Sequence, residues 1–131
     1  MRIVINKIME LPSHIADAIL SAESKALATI GKHGLNVVPV STVRVVDGQI
    51  WLMNYFFKKT RENIMEQPRA ALVCWKGFEG YQIKGSVEYA ESGDTFEKAK
   101  AWVTEHVPNR VLKGLFIIEP EETYRVSPSP N

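Results

Sequence analysis

The dipeptide Asp47-Gly48 is the feature that most restricts how this chain can fold. Asp-Gly between two apolar runs is a strong hairpin signal, because both central residues of the tight turn adopt positive φ. The run before it, residues 35–46, is rich in β-branched residues and contains Pro39, which favours an edge position or a bulge. The run after it, residues 49–54, is the returning strand. The sequence therefore predicts an antiparallel hairpin near the middle of the chain.

Other strand-like segments surround this hairpin and are separated by short turns. They are residues 26–30, 69–75, 81–89 and 112–120, with a last short strand at 123–126. Six or seven mostly sequential strands favour antiparallel pairing. We therefore expect one mainly β domain over residues 1–126, a small closed or split barrel with flanking helices. The tail Ser-Pro-Ser-Pro-Asn, residues 127–131, is typical of disorder.

Three helices are predicted, at the start, in the middle and near the end of the chain. The first begins at Pro12-Ser13 and continues with apolar residues at helical spacing. The second begins at Lys58-Lys59-Thr60 and ends before Pro68. The third has Asp94 as its N-cap and ends at Pro108. No regular alternation of strands with helices is seen, which disfavours a doubly wound parallel sheet.

The composition gives no support to a protein that binds nucleic acid or a membrane surface. Sixteen Lys and Arg against fifteen Asp and Glu leave a net charge of +1, whereas such binders carry a basic excess. The single cysteine, Cys74, permits no intrachain disulfide and suits a reducing compartment. No apolar run is long enough to span a bilayer, and the N-terminus lacks a signal-peptide pattern. We therefore expect a cytoplasmic protein.

The chain offers no recognisable catalytic or metal-binding arrangement. The three histidines lack the spacing of metal ligands on one helix face, so no metal site is predicted. No Ser/His/Asp combination is apparent either. Catalytic residues therefore stay unassigned.

The lysines at the start of the second helix stand at an unfavourable place. A helix N-terminus carries about half a positive charge and prefers anions. Backbone N–H groups, two ammonium groups and the Thr60 hydroxyl would converge there, which suits a phosphate. The hairpin would bring Ser41 and Asn54 close together beside this helix start, because paired strands lie about one strand spacing apart. Two interpretations remain open: solvated lysines, or lysines that bind an anion supplied from outside the chain.

Residues 25–118 resemble the pyridoxamine 5′-phosphate oxidase-like FMN-binding split barrels. The resemblance rests on an ordered set of segments and not on one motif. The hairpin and the basic helix start come first, then Asn63 followed by Pro68-Arg69 at a strand entry, and then the pattern from Gln82 to Gly85. It implies an antiparallel split β-barrel, and a homodimer that holds two FMN molecules at the subunit interface.

The resemblance also implies which residues bind FMN. Those expected to contact the flavin ring are Val40, Ser41, Thr42, Val43, Met53, Asn54 and Gln82. The phosphate is expected at Lys59 and Thr60, with Lys58 nearby. From the residues alone, Ser41 and Thr42 as ordinary strand residues, Thr60 as a plain N-cap and Gln82 as an exposed residue remain open alternatives.

The function implied by the resemblance is that of an FMN-dependent oxidoreductase with an unidentified small substrate. The alternative is a non-catalytic FMN-binding or electron-transfer protein. True pyridoxamine 5′-phosphate oxidases continue through a Trp-Arg element and an Arg-x-His patch, whereas this sequence offers only Arg125 near its end. Oxidation of the vitamin is therefore not expected. FMN is the expected cofactor, and relatives of this fold also hold deazaflavin or haem.

Overall fold

The computed structural model describes residues 10–126, which form one seven-stranded sheet and three helices. The helices are α1 Ser13–Ser21, α2 Lys59–Glu66 and α3 Asp94–His106. The strands are β1 Ser24–Thr29, β2 Asn36–Pro39, β3 Val43–Val46, β4 Gln49–Asn54, β5 Arg69–Lys76, β6 Glu79–Ala90 and β7 Gly114–Arg125. The expected disordered tail, residues 127–131, lies outside the described residues.

The strands lie in the order β2-β1-β5-β6-β7-β4-β3, and every neighbouring pair is antiparallel. The expected mainly β fold with three flanking helices is confirmed. No helix among residues 10–126 is long and apolar enough to cross a membrane.

Strands β4 and β7 are buried on both faces, because alternate side chains along a strand point to opposite sides of the sheet. One face joins the larger apolar cluster, which includes α1 and contains Ile50, Leu52, Phe116 and Ile118. The other face packs against α3 and contains Trp51, Met53, Leu115 and Ile117. Burying each such side chain contributes about 1.5–3 kcal/mol. These two strands are therefore the shared wall between the two parts of the core.

The predicted hairpin is confirmed. Asp47 and Gly48 have φ values of 50° and 77°, as this tight turn requires, and β3 pairs with β4 on either side.

The single strand expected over residues 35–46 is wrong, because the chain forms β2 and β3 with a crossing at residues 40–42. β2 and β3 lie at opposite ends of the strand order, so this crossing connects the two edges of the sheet. Pro39 ends the edge strand β2, which confirms its expected edge position. The Val40 N–H still bonds to the carbonyl of Lys25, and the Thr42 carbonyl accepts from the Met53 N–H. These two bonds flank Ser41, so the break in strand pairing between β2 and β3 is centred on Ser41.

Two strands expected at 112–120 and 123–126 are in fact one strand, β7. The register with β6 shifts at Lys84/Gly85, where Gly85 faces Pro120 and Lys84 faces Glu122. One extra residue on β7 is the pattern of a β-bulge, which accommodates the proline and lets pairing resume.

The N-cap of α3 is Gly93, with φ 96°, and not Asp94 as expected. Asp94 lies one residue further, inside the first turn. From that position its negative carboxylate still interacts favourably with the partial positive charge at the helix N-terminus.

Candidate functional site

Asn54, the last residue of β4, shapes the turn that leads into α2. Its Oδ1 accepts from the Phe57 N–H at 2.6 Å, and its Nδ2 donates at 3.0 Å both to the Phe57 carbonyl and to the Tyr89 hydroxyl. Both amide hydrogens are therefore used within the chain, and the side chain is only 2% exposed. The expected flavin contact of Asn54 stays a prediction, while its position identifies it as the residue that holds the turn.

Tyr89 connects this turn to an ion pair on the surface. Its hydroxyl donates to Glu91 at 3.3 Å, and Glu91 accepts two bonds from Arg61, at 2.9 and 3.2 Å. The Arg61 hydrogen bond lowers the pKa of Glu91, whereas burial raises the pKa of Tyr89. Gly114 leaves room for the ring, since a Cβ there would lie 1.8 Å from the hydroxyl oxygen. The network thereby links α2 to β6 and to the end of β4.

The start of α2 is an exposed cationic helix end. The N-cap position is Lys58, which makes no capping hydrogen bond through its side chain. Lys58 and Lys59 are both exposed, and neither forms an ion pair within residues 10–126. The first-turn acid, Glu62, instead contacts Lys32 at 3.4 Å and His33 at 3.3 Å. That hydrogen bond to His33 is the main reason that the pKa of Glu62 is lowered.

Thr60 is buried and bonded within the chain. It is 1% exposed, and its Oγ1 accepts from the Asn36 Nδ2 at 3.1 Å. Its interpretation as the helix N-cap is wrong, because Lys58 holds that position and Thr60 is already helical. The hydroxyl thus ties α2 to the edge strand β2, and its expected phosphate contact stays a prediction.

Asn63, three residues further along α2, is fully buried and holds the loop at residues 31–34. Its Nδ2 donates to the Thr29 hydroxyl and to the Gly34 carbonyl, while its Oδ1 accepts from the His33 N–H at 2.8 Å. This asparagine of the strand-entry pattern therefore has a structural role in the described chain.

A cavity of about 250 Å³ lies between the sheet crossing and the segment that enters α2. Its lining residues are Pro39, Val40, Ser41, Met53, Tyr55, Phe56, Phe57 and Arg110. It thus brings together three residues expected to contact a flavin: Val40, Ser41 and Met53. A fourth, Thr42, accepts a 2.9 Å hydrogen bond from the hydroxyl of Tyr55. The remaining hairpin residue, Val43, packs against the larger apolar cluster.

Sequence reasoning missed Tyr55 and Arg110. The guanidinium carbon of Arg110 lies 5.6 Å from the centre of the Tyr55 ring. Arg110 follows α3 in the chain, far from the hairpin, and no motif in the sequence links the two. Only the three-dimensional contact reveals it as the charged residue of the cavity lining.

Gln82 does not join these residues within one chain. It faces Tyr124 of β7, whereas Met53 faces Leu115, nine residues earlier on the same strand. Nine residues of strand span about 30 Å. The β7 strand therefore separates Gln82 from the hairpin side of the cavity.

The family model for pyridoxamine 5′-phosphate oxidase matches residues 11–127. An uncharacterized protein of Methanocaldococcus jannaschii is 30% identical over 117 residues, which cover 86% of this chain and 78% of that protein.

Similar solved structures include HupZ of Group A Streptococcus, with a TM-score of 0.80, 22% identity, and coverage of 92% of this chain and 98% of that one. An FMN-binding protein from Syntrophomonas wolfei has a TM-score of 0.77 and 16% identity, and 90% and 87% are covered. HutZ, the heme storage protein from Vibrio cholerae, has a TM-score of 0.68 and 12% identity, and 88% and 94% are covered. At these identities the structures show a shared fold and nothing further. With the family match over most of its length, the chain belongs to the pyridoxamine 5′-phosphate oxidase family and has its split-barrel fold.

Proposed function

We propose that the protein is an FMN-dependent oxidoreductase that acts on a small molecule. The observation that carries the proposal is the contiguity of two features. The exposed Lys58-Lys59 helix start follows directly after Phe57, which lines the cavity that contains Val40, Ser41 and Met53. The helix start therefore suits the anionic group of a ligand, and the adjoining cavity suits its apolar ring.

The residues present fit the chemistry of FMN. Two ammonium groups and the first N–H groups of α2 would hold the phosphate, since a helix N-terminus favours anions. Val40, Ser41 and Met53 would bind the ring system through apolar contact and backbone groups. When bound, FMN supplies hydride or electron transfer, and the protein supplies orientation and access.

The proposed assembly is a homodimer with FMN at the interface. Gln82 is remote from Met53 in one chain, so Gln82 of the partner subunit would be the one to reach the flavin. The surface beside β1 and β2 is also unusually apolar, with Ile30, Leu35 and Val37 exposed by 51%, 87% and 68%. Exposed apolar patches of this kind mark interaction sites.

A non-catalytic FMN-binding or electron-transfer protein is the second candidate. One observation favours it: no carboxylate, histidine or cysteine lines the cavity in the described part of the chain. Of the usual proton-transfer groups the described lining offers Tyr55, whose hydroxyl already donates to Thr42. Turnover of NADH and NADPH by the holoprotein, with an added electron acceptor, separates the two candidates. Sustained oxidation supports the oxidoreductase, and no turnover with either nucleotide supports the electron-transfer protein.

The first experiment is the visible absorbance spectrum of the purified protein, followed by mass analysis of any released chromophore. A flavin spectrum and the mass of FMN are expected. A haem spectrum, or a colourless protein that takes up no added FMN, contradicts the proposal.

A further inference from the structure

Arg110 is held by the loop between α3 and β7 at the cavity that the proposed function gives to the flavin ring. Its N–H bonds to the Val107 carbonyl at 3.0 Å, and the Lys113 N–H bonds to the Asn54 carbonyl at 2.9 Å. Leu112 between them is 5% exposed and packs in the core beside α3. The backbone on both sides of Arg110 is thus anchored, so its charge is held at the cavity.

Arg110 supplies the charge of this cavity. Every other residue that lines it in the described part of the chain is apolar or neutral. None of the five ion pairs found in residues 10–126 includes Arg110. Its guanidinium carbon lies 5.6 Å from the centre of the Tyr55 ring, a cation–π contact that orients the group without neutralising it. A cleft lined by charge of one sign concentrates its field on whatever it binds.

The charges of FMN and of the site balance only when the flavin ring is reduced. A phosphate monoester carries a charge of about −1.5 to −2 at pH 7, which Lys58 and Lys59 at the helix start would match. The oxidised ring is neutral and needs no counter-charge. A hydride adds two electrons and one proton to the ring, which then carries a negative charge. Arg110 is the cation of the cavity lining that would face this new charge.

We propose that Arg110 sets the electron affinity of the bound flavin, because its positive charge stabilises the ring more strongly after reduction than before. A fixed charge aimed at the place where opposite charge develops provides this differential stabilisation. The assignment rests on the proposed FMN function. It applies equally to an oxidoreductase and to an electron-transfer protein, since both reduce the ring.

The midpoint potential of the protein-bound FMN, measured by reductive titration against reference dyes, tests the proposal. Arg110→Gln should bind oxidised FMN about as tightly as the wild type. Its affinity for reduced FMN should fall about 10-fold, the lower end for a charged hydrogen bond, because Arg110 is exposed in the single chain. For a two-electron couple, a tenfold change corresponds to a potential lower by about 30 mV.

Two further variants separate charge from structure. Arg110→Lys keeps the positive charge and should keep most of the potential. Lys98→Gln, at an exposed lysine of α3, removes the same charge away from the cavity lining and should leave the potential unchanged. Thermal unfolding of each variant checks that the fold is intact.

Two results overturn the proposal while the flavin function stands. One is bound FMN whose potential is the same in Arg110→Gln and in the wild type. The other is an Arg110→Gln variant that loses affinity for oxidised FMN but not for riboflavin, which would place Arg110 at the cofactor phosphate. A wild-type protein that takes up no FMN refutes the flavin function itself, and the proposal with it.

Discussion

At the scale of single residues, Lys59 gives the most direct test of the cofactor site, because it is exposed and makes no ion pair within the described residues. We expect Lys59→Ala to weaken FMN binding by about 1.5–3 kcal/mol, the contribution of a charge-assisted hydrogen bond. Riboflavin, which lacks the phosphate, should bind the variant and the wild type equally. Fluorescence titration of the apoprotein measures both. Lys76→Ala, at an exposed lysine ending β5, is the control. An unchanged FMN affinity removes Lys59 from the phosphate site.

Asn54 is expected to act on stability as well as on binding, because its amide holds the turn that carries the lysines. Asn54→Ala leaves the half-buried Phe57 N–H without its partner, and an unsatisfied group costs up to about 1–3 kcal/mol when it is fully buried. The free energy of unfolding in urea should fall by that amount, and FMN affinity should fall with it. Asn109→Ala, at an exposed loop position, serves for comparison. Full stability with lost FMN binding would instead identify Asn54 as a direct ligand contact.

At the scale of elements, α2 is attached to the sheet through Tyr89, Glu91 and Arg61. The Arg61 hydrogen bond lowers the pKa of Glu91 below its ordinary 4.5. A carboxylate with a lowered pKa contributes stability that is complete above its unfolded-state pKa and is lost as pH falls through the folded value. The melting temperature of the wild type should therefore decrease as the pH drops below about 4.5. The melting temperature of Glu91→Gln should decrease less steeply over the same range. The difference is small, because the pair is exposed to solvent. Equal slopes of melting temperature against pH for the wild type and the variant would show that the ion pair is not coupled to folding.

At the scale of the whole molecule, the expected homodimer has twice the chain mass of 14.8 kDa. Sedimentation velocity should give that mass, and Leu35→Lys should shift it to the monomer. Leu35 is 87% exposed in a single chain, so this change should hardly affect monomer stability. FMN affinity should fall when dimerisation is lost, because Gln82 of the partner subunit is then absent from the site. Leu20→Lys, at a 55% exposed position on α1, is the matched control. A monomeric wild type that still binds FMN contradicts the interface site.

The sequence by itself determined the elements whose signals are local. The positive φ values needed at Asp47-Gly48 specify a hairpin within a few residues. The prolines that stop α2 and α3 act over one helical turn, since proline cannot donate the backbone hydrogen bond. The order of these elements also sufficed to indicate the family, which the comparison bears out.

Only the tertiary structure decided what depends on distant pairing. The run 35–46 divides because its two halves pair with β1 and β4, which lie far apart in the sheet. Asn54 holds its turn through local bonds to Phe57, but its further bond to Tyr89 joins two strands that are not neighbours in the sheet. Arg110 joins the cavity only because its loop folds onto the end of β4. Such contacts arise from the packing of elements remote in sequence, and no pattern of neighbouring residues encodes them.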